Sequence, residues 1–298
     1  MSKDAIKSKF DRPKKFGDRK DGWRIRNIDP YMNMVPVLMP GRNASCVYFS
    51  ETIDATNLVN FVKKMNEDEA LKNERGILKY TYFGVFMTAL VRTLAMRPHL
   101  NRFVSSSKLY QRRNIKLCFV AKKDMTEESP ETDVLAIFKR DANLDDVMKK
   151  LQGGIKEAKK GDDETTDVLN VLFKLPTFML RAFKGILDIL LKFDFFPKSL
   201  ESVDPMQASA FVSNLGSINL TNVPFHHLYE RGTCSLFVVM GKIFPEGDRY
   251  KMNFTVTLDE RISNGFYYIK SIELFKDLLN NPETLLGRPS EEEIPLDI

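Results

Sequence analysis

The sequence predicts an α/β sandwich built around one mixed or mainly antiparallel β-sheet. Segments with alternating apolar residues, typical of half-buried strands, are interspersed with segments whose apolar residues recur at helical spacing. Three strand-like segments also follow one another shortly before the C-terminus. Helices and strands mixed in this way indicate helices packed on a sheet. A chain of 298 residues, 43% of them apolar, can form one large core or two small ones.

Strand and helix signals alternate in the first half of the chain. One helix has Asp54 or Thr56 as its cap, and an apolar helix ends before Pro98, because the residue before a proline disfavours helical backbone. The polar turn 111–114 joins two strands. The predicted strands are Cys46–Asp54, one around Leu109, Ile115–Ala121 and Val134–Arg140, and the predicted helices are Asp54–Lys64, Tyr82–Ala95 and Asp141–Lys160, the last closed by Gly161.

The second half ends in a run of strands, a tight turn and a helix. The helix after Gly265 has apolar residues at helical spacing and ends at Asn281-Pro282. The predicted strands are Ala210–Leu215, Ser235–Lys242 and Tyr250–Leu258, and the helical apolar positions are Ile269, Ile272, Phe275 and Leu279.

Two parts are predicted, a basic N-terminal arm over residues 1–26 and a single domain over residues 27–298. Between Lys3 and Arg26 the chain is rich in Lys, Arg and Asp and nearly free of apolar residues. So little apolar area cannot offset the entropy of ordering the chain. We therefore expect an arm that is mobile or lies along a partner, with phosphate binding as the lesser alternative.

An apolar segment at about residues 165–204 stands apart from the rest. Leucine and phenylalanine are dense between Val168 and Leu200, but charged residues interrupt every run before it reaches the ~20 residues of a membrane span. Two helices split by Pro176 are predicted. They could form a buried pair or an oligomer contact, a lid over a hydrophobic substrate tunnel, or a peripheral membrane contact. The apolar residues cover more than one face, which exceeds what a single core stripe needs.

Composition narrows the class of protein. The net charge is +5, and beyond residue 26 the basic residues are interspersed with acidic ones, which argues against nucleic-acid binding. The three cysteines lack metal-ligand spacing and lie in apolar strand-like segments, so we expect buried reduced thiols and no metal site. The first 25 residues contain no apolar core of a signal peptide, and we expect a cytoplasmic protein.

The turn before the last helix resembles the active-site turn of a known family. In chloramphenicol acetyltransferase and the dihydrolipoamide acyltransferases it reads His-x-x-x-Asp-Gly, whereas this chain has Glu260-Arg-Ile-Ser-Asn-Gly265. The strand Ala210-Phe-Val-Ser-Asn-Leu-Gly-Ser217 resembles the family's Phe-Thr-Ile-Ser-Asn-Leu-Gly, and the spacing from Gly265 to Pro282 also matches. The order of elements over residues 45–286 is also similar. On these grounds the chain resembles the chloramphenicol acetyltransferase-like superfamily, most nearly the 2-oxoacid dehydrogenase dihydrolipoamide acyltransferase catalytic domain. The active-site histidine is replaced, and the apolar segment 165–204 is an insertion.

That resemblance implies a two-layer sandwich and a homotrimer. A channel at each subunit interface would admit coenzyme A from one side and the acyl acceptor from the other. In the family's mechanism the histidine deprotonates the attacking thiol or hydroxyl as general base, and a Ser or Thr hydroxyl holds the oxyanion.

The resemblance also assigns several residues of this chain to positions, or slots, of the family's motif. In the family, the aspartate of the turn often pairs with an N-terminal arginine. The corresponding positions are Glu260 for the base, Asn264 for the aspartate, Gly265 for the glycine that permits the turn, Ser213 for the oxyanion donor, and Arg24 or Arg26 for the structural arginine.

Two functions remain open because glutamate differs from histidine as a base. Proton transfer from a thiol with a pKa of ~8.5 to a carboxylate with a pKa of ~4.3 is uphill by roughly 5–6 kcal/mol. Burial by Leu258, Ile262 and Phe266 would raise the pKa of Glu260, whereas a partnership with Arg261 would lower it. The chain is therefore either a CoA-dependent acyltransferase, acting on a hydrophobic acyl group or acceptor, or an inactive member of the fold that binds acyl-CoA or serves as a scaffold.

The three histidines offer an alternative base. His99 follows Pro98 at a helix end, where a surface or capping role is expected. His226 and His227 lie in the loop before a predicted strand and are candidates for a displaced base or a substrate contact, because histidine titrates in the useful range. A third ligand is missing near this pair, which argues against a metal site.

Overall fold

A computed structural model describes residues 13–122, 126, 128–129, 131–160, 175–195 and 204–296. The larger of its two sheets has six strands in the order β2-β9-β8-β7-β5-β6. Strand β7 pairs in parallel with both β5 and β8, and the other pairings are antiparallel. The predicted mixed sheet is confirmed. Its strands are β2 (Cys46–Asp54), β5 (Ile115–Lys122), β6 (Glu131–Phe138), β7 (Ala210–Asn214), β8 (Leu236–Glu246) and β9 (Arg249–Asp259).

A smaller antiparallel sheet has the order β1-β4-β3 and holds the start of the described chain. Its strands are β1 (Gly22–Arg24), β3 (Arg102–Ser105) and β4 (Lys108–Arg112). Trp23 of β1 is buried and pairs with Gln111 of β4. Arg112 at the end of β4 is also buried, because its guanidinium donates to the carbonyl oxygens of Gln207 and Thr233.

Four helices cover one face of the large sheet and enclose the main core. The central helix α4 is buried from Gly84 to Ala95. Phe86 of α4 meets Phe254 of β9 and Phe275 of α7 edge to face, with ring centroids 6.2 and 5.0 Å away. The helices are α1 (Pro30–Leu38), α2 (Thr56–Glu67), α3 (Glu69–Arg75), α4 (Tyr82–Met96), α5 (Leu144–Lys160), α6 (Thr177–Lys192) and α7 (Gly265–Asn280), of which α2, α4, α5 and α7 contribute to this core.

The opposite face of the large sheet is only partly covered. A smaller cluster that includes Phe211, Phe237 and Val239 packs beneath the loop of residues 215–234. Tyr48 and Phe225 lie edge to face in this region and are each about half exposed. An aromatic surface on the second face of a sheet is available for contact with another chain.

The arm boundary predicted at residue 26 is wrong over the part that the structure describes. Asp18, Arg19 and Asp21 are buried, and Trp23 lies in the smaller sheet. Charged residues can be buried here because they bond to one another: Arg19 Nε donates to Asp21 Oδ1 at 2.8 Å. Residues 1–12 lie outside the described chain.

Residues 113–114 join β4 to β5 as predicted, although the two strands belong to different sheets. One further prediction needs correction. Cys118 and Cys234 are buried thiols as predicted, but Cys46 is only half-buried.

The structure describes one helix of the apolar segment, α6, which follows Pro176. The predicted helix before Pro176 and the end of the segment fall on residues 161–174 and 196–203, outside the described chain. Among the described helices, none is both long and apolar enough to cross a membrane.

Candidate functional site

The turn between β9 and α7 is held by a buried ion pair. Arg261 binds Asp259 through two parallel bonds, from Nε to Oδ1 at 2.8 Å and from Nη2 to Oδ2 at 2.7 Å. The two side chains are 3% and 0% exposed. A bidentate Arg–carboxylate pair is directional as well as strong. It therefore fixes the backbone on both sides of Glu260.

Arg261 also ties the turn to the segment that follows α1. Its Nη1 donates to the carbonyl oxygens of Met39 and Pro40, at 3.2 and 3.3 Å. Nearby, the guanidinium of Arg42 donates to backbone oxygens of the loop that ends at β8, including that of Tyr229 at 2.7 Å. Burial lowers the pKa of Arg42, and the Asp259 carboxylate opposes that shift.

Glu260 is half-buried and follows directly after this pair. The structure gives its carboxylate no hydrogen bond and no ion pair within the described chain. Arg261, the residue expected to compete for it, points instead to Asp259. Of the residues expected to bury Glu260, Leu258 and Ile262 lie in the main core, whereas Phe266 is mostly exposed. The carboxylate thus lies in the base slot without a charged partner.

Asn264, in the aspartate slot, caps α7. Its side-chain oxygen accepts from the backbone N–H of Tyr267 at 2.9 Å, and the residue is exposed. An amide can do this as well as a carboxylate, since Asn and Asp are both good N-caps. The loss of a negative charge at this slot therefore leaves the helix start intact.

Gly265 does not permit the turn in the way expected. Its φ angle lies outside the left-handed region, and a Cβ atom built on it would meet nothing within 4 Å. The turn therefore has no conformational need for glycine within one chain. Glycine at such a position instead leaves space for the close approach of a ligand or a second chain.

The predicted pairing of Asn264 with Arg24 or Arg26 is not present in the structure. Arg26 Nη2 donates to Asp18 Oδ1 at 3.1 Å and also to the carbonyl oxygen of Phe16. The backbone N–H of Arg24 donates to the same Asp18 oxygen at 3.0 Å. Lys15 N–H and Arg26 lower the pKa of Asp18 against the effect of its burial. Asp18, which the sequence did not single out, organises this end of the chain.

A histidine that sequence reasoning placed at the surface touches the turn. His99 Nδ1 lies 2.9 Å from Ser263 Oγ, and its ring stacks on Tyr267 with centroids 4.1 Å apart. The guanidinium carbon of Arg97 lies 3.8 Å from the centroid of the same tyrosine ring. Ser263 itself is 3% exposed. In the sequence, the only sign of this contact with His99 was the hydroxyl of Ser263 inside the turn.

His226 and His227 lie on the second face of the large sheet. The His226 ring stacks on Phe237, with centroids 3.8 Å apart, and its Nδ1 lies 2.7 Å from the His227 carbonyl oxygen, to which it donates. Nε2 is then the proton-accepting nitrogen of the neutral ring. Burial lowers the pKa of His226, which favours that neutral form.

Ser213 shares the second face but lies far from Glu260 within one chain. Ser213 pairs with Val239 of β8, which pairs with Thr255 of β9. Glu260 is five positions beyond Thr255 and two strands away from Ser213. At about 3.3 Å per residue and about 4.8 Å per strand, the separation is roughly 19 Å. One chain therefore does not bring the oxyanion candidate to the base candidate.

A cleft of about 630 Å³ opens beside the turn. Arg261 and Arg42 form one wall, and residues 229–233 continue it. Helix α6 supplies another wall through Lys184 and Leu191. The apolar segment thus contributes directly to a cavity beside the turn, which makes this cleft the candidate substrate site.

The comparisons with known proteins agree with the fold. A family model for the acyltransferase catalytic domain of 2-oxoacid dehydrogenases matches residues 38–126. A probable dihydrolipoamide acetyltransferase from Listeria monocytogenes is 15% identical, with a TM-score of 0.55 over 87% of this chain and 95% of that one. A chloramphenicol acetyltransferase is 11% identical, with a TM-score of 0.52 over 87% of this chain and 98% of that one. The chain has the chloramphenicol acetyltransferase-like fold.

A third similar structure comes from Thermoplasma acidophilum, a truncated catalytic core of the 2-oxoacid dehydrogenase multienzyme complex. It is 12% identical, with a TM-score of 0.55 over 88% of this chain and all of that one. A search of curated protein sequences found no match. The resemblance predicted from the sequence is confirmed, and at these identities it is a likeness of fold. The residues matched by the family model end before β9, so the turn around Glu260 must be assessed on its own chemistry.

Proposed function

We propose that this chain is a CoA-dependent acyltransferase that works as a homotrimer, with Glu260 as general base at a channel between subunits. The proposal rests on the structure of the turn between β9 and α7. Its backbone is fixed by the buried Asp259–Arg261 pair, while the carboxylate in the base slot has no ion-pair partner in the described chain. A carboxylate held in this way is available to accept a proton from a bound acceptor.

The chemistry required of Glu260 is one proton transfer in each direction. The carboxylate accepts the proton of the attacking hydroxyl or thiol as the acceptor's oxygen or sulfur bonds to the acyl carbon. The tetrahedral intermediate then collapses, the bond to the CoA sulfur breaks, and the proton passes from Glu260 to the leaving thiolate. Closure of a channel by neighbouring subunits would exclude water from the carboxylate and from the bound acyl thioester.

The trimer is part of the same proposal. It is supported by the roughly 19 Å between Ser213 and Glu260 in one chain, and by the half-exposed Tyr48 and Phe225 on the second sheet face. A similar solved structure is the cubic core of the pyruvate dehydrogenase multienzyme complex, which is an assembly. We also propose a cytoplasmic location, which the fold itself does not require.

The first experiment is calorimetric titration of the purified protein with CoA, acetyl-CoA and a long-chain acyl-CoA. Micromolar binding supports an intact channel, and preference for the long chain assigns the acyl site to the cleft beside α6. If none of the three binds, both hypotheses are excluded, the acyltransferase and the inactive acyl-CoA-binding protein.

The second experiment tests the base, using an assay that follows release of free CoA thiol. Glu260→Gln removes the proton acceptor at nearly constant volume and should lower turnover by about 10²- to 10⁴-fold, the usual contribution of a general base. Glu283→Gln, at an exposed glutamate of another 3₁₀ turn, is the matched control. Binding of acyl-CoA with equal, negligible turnover in wild type and Glu260→Gln would favour the inactive binding protein, especially if Glu260→His gains activity.

A further inference from the structure

Helix α6 exposes its apolar side to solvent. Six large apolar residues on the helix, or directly after it, are between 40% and 72% exposed. At 100° per residue they fall within about 140° of the helix circumference. We call this the outer face of α6; it comprises Phe178, Met179, Phe183, Ile186, Ile189 and Phe193.

The opposite side of α6 is bound to the body of the protein, which fixes this orientation. Leu191 is buried, and its carbonyl oxygen accepts from Arg19 Nη1 at 2.9 Å. Asp188 lies 3.4 Å from Arg231 Nε, and Asp194 accepts from the backbone N–H of Lys20 at 2.9 Å. The usual arrangement of a surface helix, apolar stripe inward and charges outward, is therefore reversed.

Basic residues border the outer face. Arg181 and Lys192 are exposed and lie about 40–60° beyond Phe178 on the helix circumference. A wide apolar stripe with basic residues along its edge is typical of helices that lie in a membrane interface, whereas the seam of a coiled coil is narrower. Long basic side chains at such an edge can reach lipid phosphates while their methylene groups remain in the apolar layer.

The described start of the chain adds charge beside the end of α6. Residues 13–26 contain 6 basic and 2 acidic residues, an excess of four. Lys14 Nζ lies 3.4 Å from Asp194, just after α6, and Phe16 is fully exposed. Lys14 and Lys20 thus lie beside the C-terminal end of α6, next to its outer face. That combination matches the two components of peripheral membrane binding, apolar insertion and attraction to anionic lipid.

We propose that the outer face of α6, together with Lys14, Lys15 and Lys20 beside it, binds the surface of an anionic lipid bilayer. These exposed basic residues are the reason to choose a membrane over an apolar protein partner or a second copy of the chain. Because α6 also lines the cleft beside Arg261, bound protein would hold this cleft close to the lipid surface. The binding itself does not depend on acyl transfer.

The test is flotation of the full-length protein with vesicles of phosphatidylglycerol and phosphatidylcholine in equal parts, compared with phosphatidylcholine alone. We expect binding to the anionic vesicles, weakened by added salt. Ile189→Asp should lower the partition coefficient at least tenfold. Ile269→Asp is the matched control, since both isoleucines lie on helices and are 58% and 50% exposed. Neither side chain is buried, so both variants should keep the wild-type melting temperature.

A second variant separates charge from insertion. Reversing Lys14 and Lys15 to glutamate should weaken binding to the anionic vesicles and leave the fold unchanged. The proposal is overturned if the wild-type protein floats with neither kind of vesicle at low salt, or if Ile189→Asp and Ile269→Asp lose binding equally. It is also overturned if Ile189→Asp dissociates an oligomer in sedimentation while vesicle binding is absent, because the outer face is then covered by a second copy.

Discussion

Removing Arg261 should destabilise the fold far more than removing a surface arginine with an equally short ion pair. Arg261→Met leaves the fully buried carboxylate of Asp259 without its two-bond partner and also removes the bonds to residues 39 and 40. Breaking a buried pair by removing one partner costs about 3–5 kcal/mol, because an uncompensated charge remains in the interior. Methionine fills a similar volume, so loss of the charge, and not a cavity, dominates the effect.

The surface comparison is Arg249→Met. Arg249 Nη1 lies 2.8 Å from Asp54 Oδ2, almost the same distance as in the buried pair, but the two side chains are 64% and 32% exposed. Hydrogen bonds from Thr56 and the nearby Arg249 hold the pKa of Asp54 below its usual value. Exposed pairs of this kind are screened by water and salt, so this variant should unfold like wild type.

The assay is urea unfolding followed by circular dichroism, with the free energy of unfolding obtained by linear extrapolation. A double variant, Asp259→Asn with Arg261→Met, should recover part of the loss, because no buried charge is left unpaired. Equal effects of Arg261→Met and Arg249→Met would refute the argument from burial. No recovery in the double variant would show that the bonds to residues 39 and 40, and not the ion pair, hold the turn.

Two further predictions concern single positions. Gly265→Ala should raise the free energy of unfolding by about 0.4–1 kcal/mol, because its Cβ meets open space and its φ suits alanine. The same variant should weaken CoA binding in calorimetry if substrate occupies that space. Gly241→Ala, whose Cβ would lie 2.7 Å from a backbone oxygen, should instead lower the free energy of unfolding by about 1–3 kcal/mol. Burial lowers the pKa of His226, so the unfolded chain binds more protons than the folded one, and stability should fall as the pH drops below about 6.5. His226→Phe, which can keep the stacking on Phe237, should flatten this pH dependence. His227→Phe should retain it.

The strands of the large sheet could be predicted because their apolar residues alternate. Strand β2 has the bounds expected from the sequence, and the central helix α4 extends one residue past the predicted end at Ala95. Both elements are long, and one side of each is apolar. The strands β1 and β3 are only three and four residues long, too short to show a period.

The errors came from charged residues that are buried because they find hydrogen-bond partners inside the protein. The segment that contains Arg19 and Asp21 has the composition of a mobile arm, but its charges are paired and its one tryptophan anchors it in a sheet. Arg112 was expected in a polar turn, but it ends β4 and is buried, because backbone carbonyl oxygens accept its hydrogen bonds. Composition counts charges but does not show which of them find partners.

The site was predictable as a motif but not as an arrangement in space. The turn from Glu260 to Gly265 was located from its sequence, whereas the contact of Ser263 with His99 joins residues 164 positions apart. The sequence also predicted a helix after Pro176, which is α6. It could not indicate which side faces the protein, because the periodicity is the same for either orientation.

The separation of Ser213 from Glu260 leads to a test of both the trimer and the site. If the two residues act together, each active site must combine Glu260 of one subunit with Ser213 of a neighbour. Glu260→Gln and Ser213→Ala homotrimers should then both be impaired. After unfolding and refolding as an equal mixture, about a quarter of the interfaces in a closed ring would pair an intact Glu260 with an intact Ser213. Activity should therefore rise above that of either variant toward a quarter of wild type. Activity that stays at the average of the two variants would mean that no interface combines these residues, and Ser213 would be excluded as the oxyanion donor.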